Sequence, residues 1–89
     1  MKLTIENLEK CLSKIDYSIK GEKPNRFIYD HTGKNTGVRV WNDTIDFTMD
    51  SRIETVAVMN RCTIKMIKRD TVQIGNEKMF VLFHNFSKS

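Results

Sequence analysis

The sequence contains few of the residues that crosslink small domains or interrupt their helices and strands. It has two cysteines, one proline and four glycines in 89 residues. Small secreted domains of this length usually carry more cysteine, because disulfides compensate for a small core. We therefore expect Cys11 and Cys62 to be reduced and at least partly buried. Hydrophobic residues make up 39% and charged residues 29% of the chain, which is typical of a folded domain and not of a disordered tail.

Long hydrophobic runs are also absent. The longest, from Met79 to Phe83, has the length of a strand, and it is too short for a membrane-spanning helix. The first residues, MKLTIENLEK, contain acidic side chains and no signal-peptide pattern. We expect a cytoplasmic protein with no membrane partner.

The charge of the chain is mildly positive. Fifteen basic and eleven acidic residues give a formal net charge of +4. This charge permits binding to nucleic acid or to an acidic protein but requires neither, because net charge bears on solubility and encounter more than on identity.

The N-terminal segment has the spacing of an amphipathic helix, predicted from about Thr4 to Ile15. Thr4 is a suitable N-cap, and Leu3 and Leu8 occupy the positions of a hydrophobic staple. The apolar residues recur every three or four positions and form one stripe, at Ile5, Leu8, Leu12 and Ile15. A helix with one apolar stripe covers one face of another layer.

That layer is predicted to be a sheet, because the apolar period changes to alternation after Asp16. Strands are expected at 17–19, 26–30, 38–41, 44–49, 63–67, 71–74 and 79–83. Segment 51–60 fits either a helix or a strand, and we favour a strand from Ile53 to Met59. The fold class is therefore α+β, an N-terminal helix packed on a mostly antiparallel sheet of about five to seven strands. Residues 1–89 are expected to form one domain, with 84–89 as a frayed tail.

The clearest hairpin joins Val38–Trp41 to Thr44–Met49. A two-residue turn at Asn42-Asp43 fixes its register, because directly opposed residues share a face. The predicted pairs are Trp41 with Thr44, Val40 with Ile45, Arg39 with Asp46, and Val38 with Phe47. One face is then apolar, and the other carries Arg39, Trp41, Thr44 and Asp46.

Two further strand features follow from the same patterns. The hairpin of 63–67 and 71–74 places Ile64 and Met66 on the same face as Val72 and Ile74. The final strand, Met79–Phe83, is apolar on both faces, which predicts a central strand or one covered twice. Left uncovered, it would instead offer a surface for a homodimer.

Catalytic and metal-binding patterns are missing. The two cysteines and two histidines are scattered, without the paired spacing of zinc sites. The glycine-containing loop HTGKNTG, residues 31–37, lacks the spacing of a phosphate-binding loop and fits a plain turn, in which Lys34 is an exposed cation. We predict no enzyme, no metal and no cofactor.

The polar face of the first hairpin is the first candidate partner-binding surface, comprising Arg39, Trp41, Asp46 and, from the preceding loop, Lys34. An exposed Trp beside an Arg is typical of interface hot spots and of surfaces that stack on unpaired bases. The alternative is that a second layer covers Trp41, or that Trp41 packs along the Arg39 stem.

The second candidate surface is basic and consists of Arg61, Lys65, Lys68 and Arg69. These residues could contact the phosphates of DNA or RNA. The alternative is a charged edge hairpin that resists sheet-to-sheet aggregation.

The small size, the lysine-, isoleucine- and asparagine-rich composition and the lack of catalytic motifs resemble small proteins of phages and mobile elements. The resemblance lies in style alone and assigns no residue. Trp41 on a polar face and the two-sided apolar strand Met79–Phe83 favour a non-catalytic binding protein, of the phage or mobile-element type, that inhibits or modulates a host protein or complex. The alternative is a nucleic-acid-binding protein.

Overall fold

The computed structural model describes residues 1–49 and 52–88. One helix is followed by strands that form two antiparallel sheets. The elements are α1 (Ile5–Ser13), β1 (Ser18–Glu22), β2 (Asn25–Tyr29), β3 (Asn35–Trp41), β4 (Thr44–Met49), β5 (Arg52–Val58), β6 (Thr63–Lys68), β7 (Thr71–Gly75) and β8 (Phe80–His84), with short 3-10 turns at Met59–Arg61 and Phe86–Lys88. No helix among the described residues is long and apolar enough to cross a membrane.

The predicted helix is confirmed, with Thr4 as its N-cap. The Thr4 hydroxyl accepts a hydrogen bond from the Asn7 amide at 3.1 Å, which satisfies one free donor of the first turn. The helix ends before Ile15 because Asp16 adopts a positive φ of 61°, which the right-handed helix does not allow. Its apolar side buries Leu8, Cys11 and Leu12.

The larger sheet is a five-stranded meander in the order β1-β2-β3-β4-β5. All four predicted pairs of the β3–β4 hairpin are present, including Arg39 opposite Asp46 and Trp41 opposite Thr44. Segment 52–58 is a strand, as favoured from the sequence, while residue 51 lies outside the described residues. The predicted loop 31–37 is shorter than expected, because β3 already begins at Asn35 and includes Gly37 at an irregularity of the β2–β3 register.

The smaller sheet has three strands in the order β6-β7-β8. Ile64 pairs with Ile74 and Met66 with Val72, so the predicted shared face is confirmed. The eight strands of the described residues are thus divided between two sheets, and both sheets contribute to a single apolar cluster with α1. Leu12, Ile45 and Ile74, one from each layer, are fully buried in it.

The prediction that Met79–Phe83 is central or covered twice is wrong. β8 lies at the edge of the smaller sheet and pairs only with β7 among the described strands. One of its faces contributes Phe83 to the core, while Phe80 and Leu82 on the other face are exposed. Apolarity on both faces of a strand indicates two contact surfaces, but it does not reveal whether the second one is covered within the same chain.

Residues 84–89 were predicted to form a frayed tail, and the structure places the first two of them in the fold. His84 belongs to β8, and Asn85 is fully buried. The side-chain amide nitrogen of Asn85 donates to the carbonyl of Ile15 at 2.8 Å, and the side-chain oxygen of Asn85 accepts from the Ser87 backbone amide at 3.0 Å. The bond to Ile15 attaches the C-terminal segment to the turn that follows α1.

Candidate interaction surfaces

Trp41 lies on the outer face of the larger sheet, at the C-terminal end of β3. Trp41 is 41% exposed, so no second layer formed by the described residues covers it. The guanidinium carbon of Arg39 lies 5.0 Å from the centre of the Trp41 ring, within the range of a cation–π contact. The Arg39 guanidinium therefore contacts the ring while much of Trp41 stays open to solvent.

Asp46 fixes the position of Arg39. Its Oδ2 accepts a hydrogen bond from an Arg39 terminal nitrogen at 3.2 Å across the β3–β4 pair. Asp46 is only 3% exposed, and its Oδ1 has no hydrogen-bond partner among the described residues. A buried carboxylate without a partner costs free energy. The ion pair with Asp46 therefore favours this position of the Arg39 side chain. The two predicted residues and Trp41 thus form one unit, here called the Trp41 cluster.

Three residues beside the Trp41 cluster were not predicted. Phe27 lies directly opposite Arg39 in the neighbouring strand, so both side chains are on the outer face. Lys20 pairs with Phe27, and its ammonium lies 5.6 Å from the centre of the Tyr29 ring. The β2–β3 register would have revealed them, but the irregularity at Gly37 hides that register from a strict alternation rule.

Lys34 does not join the Trp41 cluster. It precedes the first residue of β3, whereas Trp41 is the last, and seven residues of strand span roughly 20 Å. Lys34 instead closes a turn, in which its amide donates to Asp30 Oδ1 at 3.0 Å. The Thr32 hydroxyl and this amide lower the pKa of Asp30 below its ordinary value, because both stabilise the carboxylate.

The predicted basic residues divide into two groups. Arg61 and Lys65 line a groove of about 610 Å³ on the smaller sheet, together with Lys78 from the β7–β8 turn and one acidic residue, Glu77. Lys68 and Arg69 lie at the β6–β7 turn and do not line this groove. Sequence reasoning missed Lys78, because its approach to Arg61 depends on the pairing of β6 with β7.

An apolar surface follows β8. Phe80 is 50% exposed, Leu82 52% and Phe86, just beyond the strand, 79%. Beside this strand runs a groove of about 490 Å³, between β8 and the larger sheet, where Tyr17, Val38 and Phe47 form much of the far wall. Of the eight exposed large hydrophobic residues in the described part of the chain, four lie in this segment, namely Met79, Phe80, Leu82 and Phe86.

Cys11, Cys62 and Thr71 have residue types that can support catalysis, and all three are buried. Cys11 and Cys62 are free and buried, and burial raises the pKa of the Cys62 thiol, which disfavours the reactive thiolate. The Thr71 hydroxyl lies 2.7 Å from His84 Nδ1 but donates to Asp70 at 2.9 Å, and Thr71 is buried. The described residues contain no group of three or more His, Cys, Asp or Glu side chains placed to hold a metal.

The chain matches no family model, and its comparison with the curated proteins and with the solved structures returned no match. A function for this chain is therefore inferred from its own surfaces.

Proposed function

We propose that the protein is a non-catalytic binding protein, which inhibits or modulates a partner protein by covering part of its surface. The observation that carries this proposal is the Trp41 cluster, an exposed tryptophan whose neighbouring arginine is held in place by a buried carboxylate. Trp and Arg are enriched among interface hot spots, and a side chain held before binding loses little entropy on binding.

The partner we favour is a protein with an apolar pocket for Trp41 and acidic residues around it. Lys20 and Arg39 place two cations beside aromatic rings on this face, and the whole chain carries a net charge of +4. An acidic rim on the partner would complement these charges and speed the encounter. A cytoplasmic setting is part of the proposal and suits two free, buried thiols.

Substitution of Trp41 provides the direct test. The tagged wild-type protein and Trp41→Ala are used for affinity purification from the native host, and the captured protein is then purified for titration. We expect Trp41→Ala to bind about 30-fold or more weakly, corresponding to about 2 kcal/mol for a hot spot. The single tryptophan also supplies a signal, because its emission should shift when the partner covers it.

Ile67→Ala is a matched control, because Ile67 is also 41% exposed but lies on the smaller sheet. This variant should bind like the wild type. Both variants should keep the wild-type circular dichroism spectrum. A folded Trp41→Ala protein that binds with unchanged affinity would refute the proposal.

Nucleic-acid binding is the second candidate, and the groove that brings Arg61, Lys65 and Lys78 together favours it. Each phosphate contact releases counterions, so affinity for single-stranded or double-stranded DNA or RNA should fall steeply with salt. Arg61→Gln and Lys65→Gln should reduce that salt slope by about one each. Lys68→Gln and Arg69→Gln, which change the same charge outside the groove, should have smaller effects. No binding at low salt would eliminate this candidate.

A further inference from the structure

The free edge of β8 has backbone groups available for pairing. The backbone amide of Asn76 donates to the Met79 carbonyl at 2.8 Å, and the backbone amide of Asn85 donates to the Asp70 carbonyl at 3.0 Å. Hydrogen-bonded pairs alternate along an antiparallel ladder, so Val81 and Phe83 also bond toward β7. The intervening residues Phe80, Leu82 and His84 direct their amides and carbonyls away from β7.

Tyr17 supports this assignment independently. Its hydroxyl, which comes from outside the smaller sheet, donates to the His84 carbonyl at 2.7 Å. The His84 carbonyl therefore does point away from β7. The backbone groups of Phe80 and Leu82 lie further along the same edge.

Among the edge strands of the described residues, β8 alone lacks Asp, Glu, Lys and Arg residues that would discourage pairing. The strands at sheet edges are β1, β5, β6 and β8. Each of the first three contains two Asp, Glu, Lys or Arg residues: Lys20 and Glu22 in β1, Arg52 and Glu54 in β5, and Lys65 and Lys68 in β6. β8, with the sequence FVLFH, contains none. Charged side chains at the edges of natural sheets prevent pairing with other chains. The lack of such charges on β8 therefore favours the pairing of this edge with another strand.

The surroundings of β8 specify what an added strand must look like. On one side it would continue the exposed stripe of Phe80 and Leu82, and on the other it would enter the groove lined by Val38 and Phe47. Both sides are mostly apolar, so an added strand that is apolar on both faces would suit them. Within this chain, the strand FVLFH has that pattern, with Val81 and Phe83 on one face and Phe80 and Leu82 on the other.

We propose that two copies of the chain pair β8 with β8 in antiparallel orientation, about a two-fold axis at Leu82. Leu82 then opposes Leu82 of the second copy, and Phe80 opposes His84 of the second copy. The His84 carbonyl can accept both from Tyr17 and from the added strand, because it has two lone pairs. The pairing produces a continuous six-stranded sheet, and the symmetric contact is the form that closed dimers require.

This dimer is independent of the proposed function. The Trp41 cluster lies on the outer face of the other sheet and does not line the β8 groove. Both copies would keep an open Trp41 surface, so the dimer would be bivalent toward a partner and would bind a repeated or dimeric target more tightly than a monomer would.

The mass in solution tests the proposal. By light scattering coupled to size-exclusion chromatography, the wild type should show twice the 10.4 kDa of one chain. Leu82→Lys should restore the monomer mass, because two ammonium groups would oppose each other at the axis. Ile67→Lys adds the same charge at another exposed apolar position, away from the β8 edge, and should remain a dimer.

A crosslink tests the register. In an antiparallel hydrogen-bonded pair the two Cα atoms lie about 5.5 Å apart, within the range of a disulfide, so oxidised Leu82→Cys should form a covalent dimer. Gln73→Cys is the control, since Gln73 opposes Leu82 on the neighbouring strand and its two copies would be too far apart. A monomeric wild type at high protein concentration, or a Leu82→Lys dimer, would overturn the proposal. Trp41→Ala should still dimerise, so loss of partner binding and loss of the dimer are separate results.

Discussion

The side-chain amide of Asn85 donates a hydrogen bond to the backbone carbonyl of Ile15, at 2.8 Å and 70 residues away in the chain. Both residues are fully buried. The contact joins the turn that follows α1 to the segment that follows the last strand. Ile15 lies two residues beyond the end of α1, so Asn85 supplies a donor to a carbonyl that the helix does not bond.

We expect Asn85→Ala to destabilise the protein by about 2 to 3 kcal/mol, because the Ile15 carbonyl would stay buried without its donor. Urea unfolding followed by circular dichroism measures this loss. Asn60→Ala, at an exposed asparagine, should change the free energy of unfolding by less than about 0.5 kcal/mol. Equal effects of the two substitutions would contradict a structural role for Asn85.

Two glycines allow a comparison of backbone strain with steric clash. Gly33 and Gly75 both have positive φ, 88° and 145°, but only at Gly75 would an added Cβ collide with backbone, at Met79 and Phe80. Gly33→Ala should therefore cost about 1 kcal/mol, from conformation alone. Gly75→Ala should cost about 3 kcal/mol or more, because β8 must move away from β7. The urea midpoints of the two variants give both losses of stability, provided that the m-values are equal. Similar losses would show that the β7–β8 turn rearranges to accommodate the added Cβ.

A structural feature could be predicted from the sequence when the residues that determine it lie close together in the chain. The β3–β4 register was predictable because a two-residue turn connects the strands and the alternation around it is regular. The edge position of β8 was not, because it depends on which strands pair across the whole chain. Asn85 belongs to no periodic pattern, and only its burial reveals its role. Arg39, Trp41 and Asp46 were found together because all three lie within the local hairpin.

The Arg39–Asp46 pair should show strong coupling. Arg39→Met leaves the buried Asp46 carboxylate without its partner and should cost about 2 to 3 kcal/mol. Adding Asp46→Asn removes the stranded charge, so the double variant should be more stable than Arg39→Met alone. A double-mutant cycle from urea unfolding gives the coupling energy. Additive costs would indicate that the two side chains act separately.

Tyr17 should make stability depend on pH in the alkaline range. Burial, assisted by the negative charge of Asp30, raises the pKa of its phenol above the ordinary value of about 10. The folded state thus keeps the proton at a pH where the unfolded chain has lost it. This contribution is complete below about pH 10 and is lost as the pH rises through the folded pKa.

Tyr17→Phe isolates that contribution, because the variant keeps the ring and removes the titrating group. At neutral pH it should lose about 1 kcal/mol, since the His84 carbonyl loses the Tyr17 hydroxyl. Above pH 10 the wild type should lose stability more steeply than the variant, as measured by urea unfolding at several pH values. All other ionisable groups are common to both proteins, so their effects cancel in the difference. Parallel pH profiles would show that the folded state does not retain the Tyr17 proton.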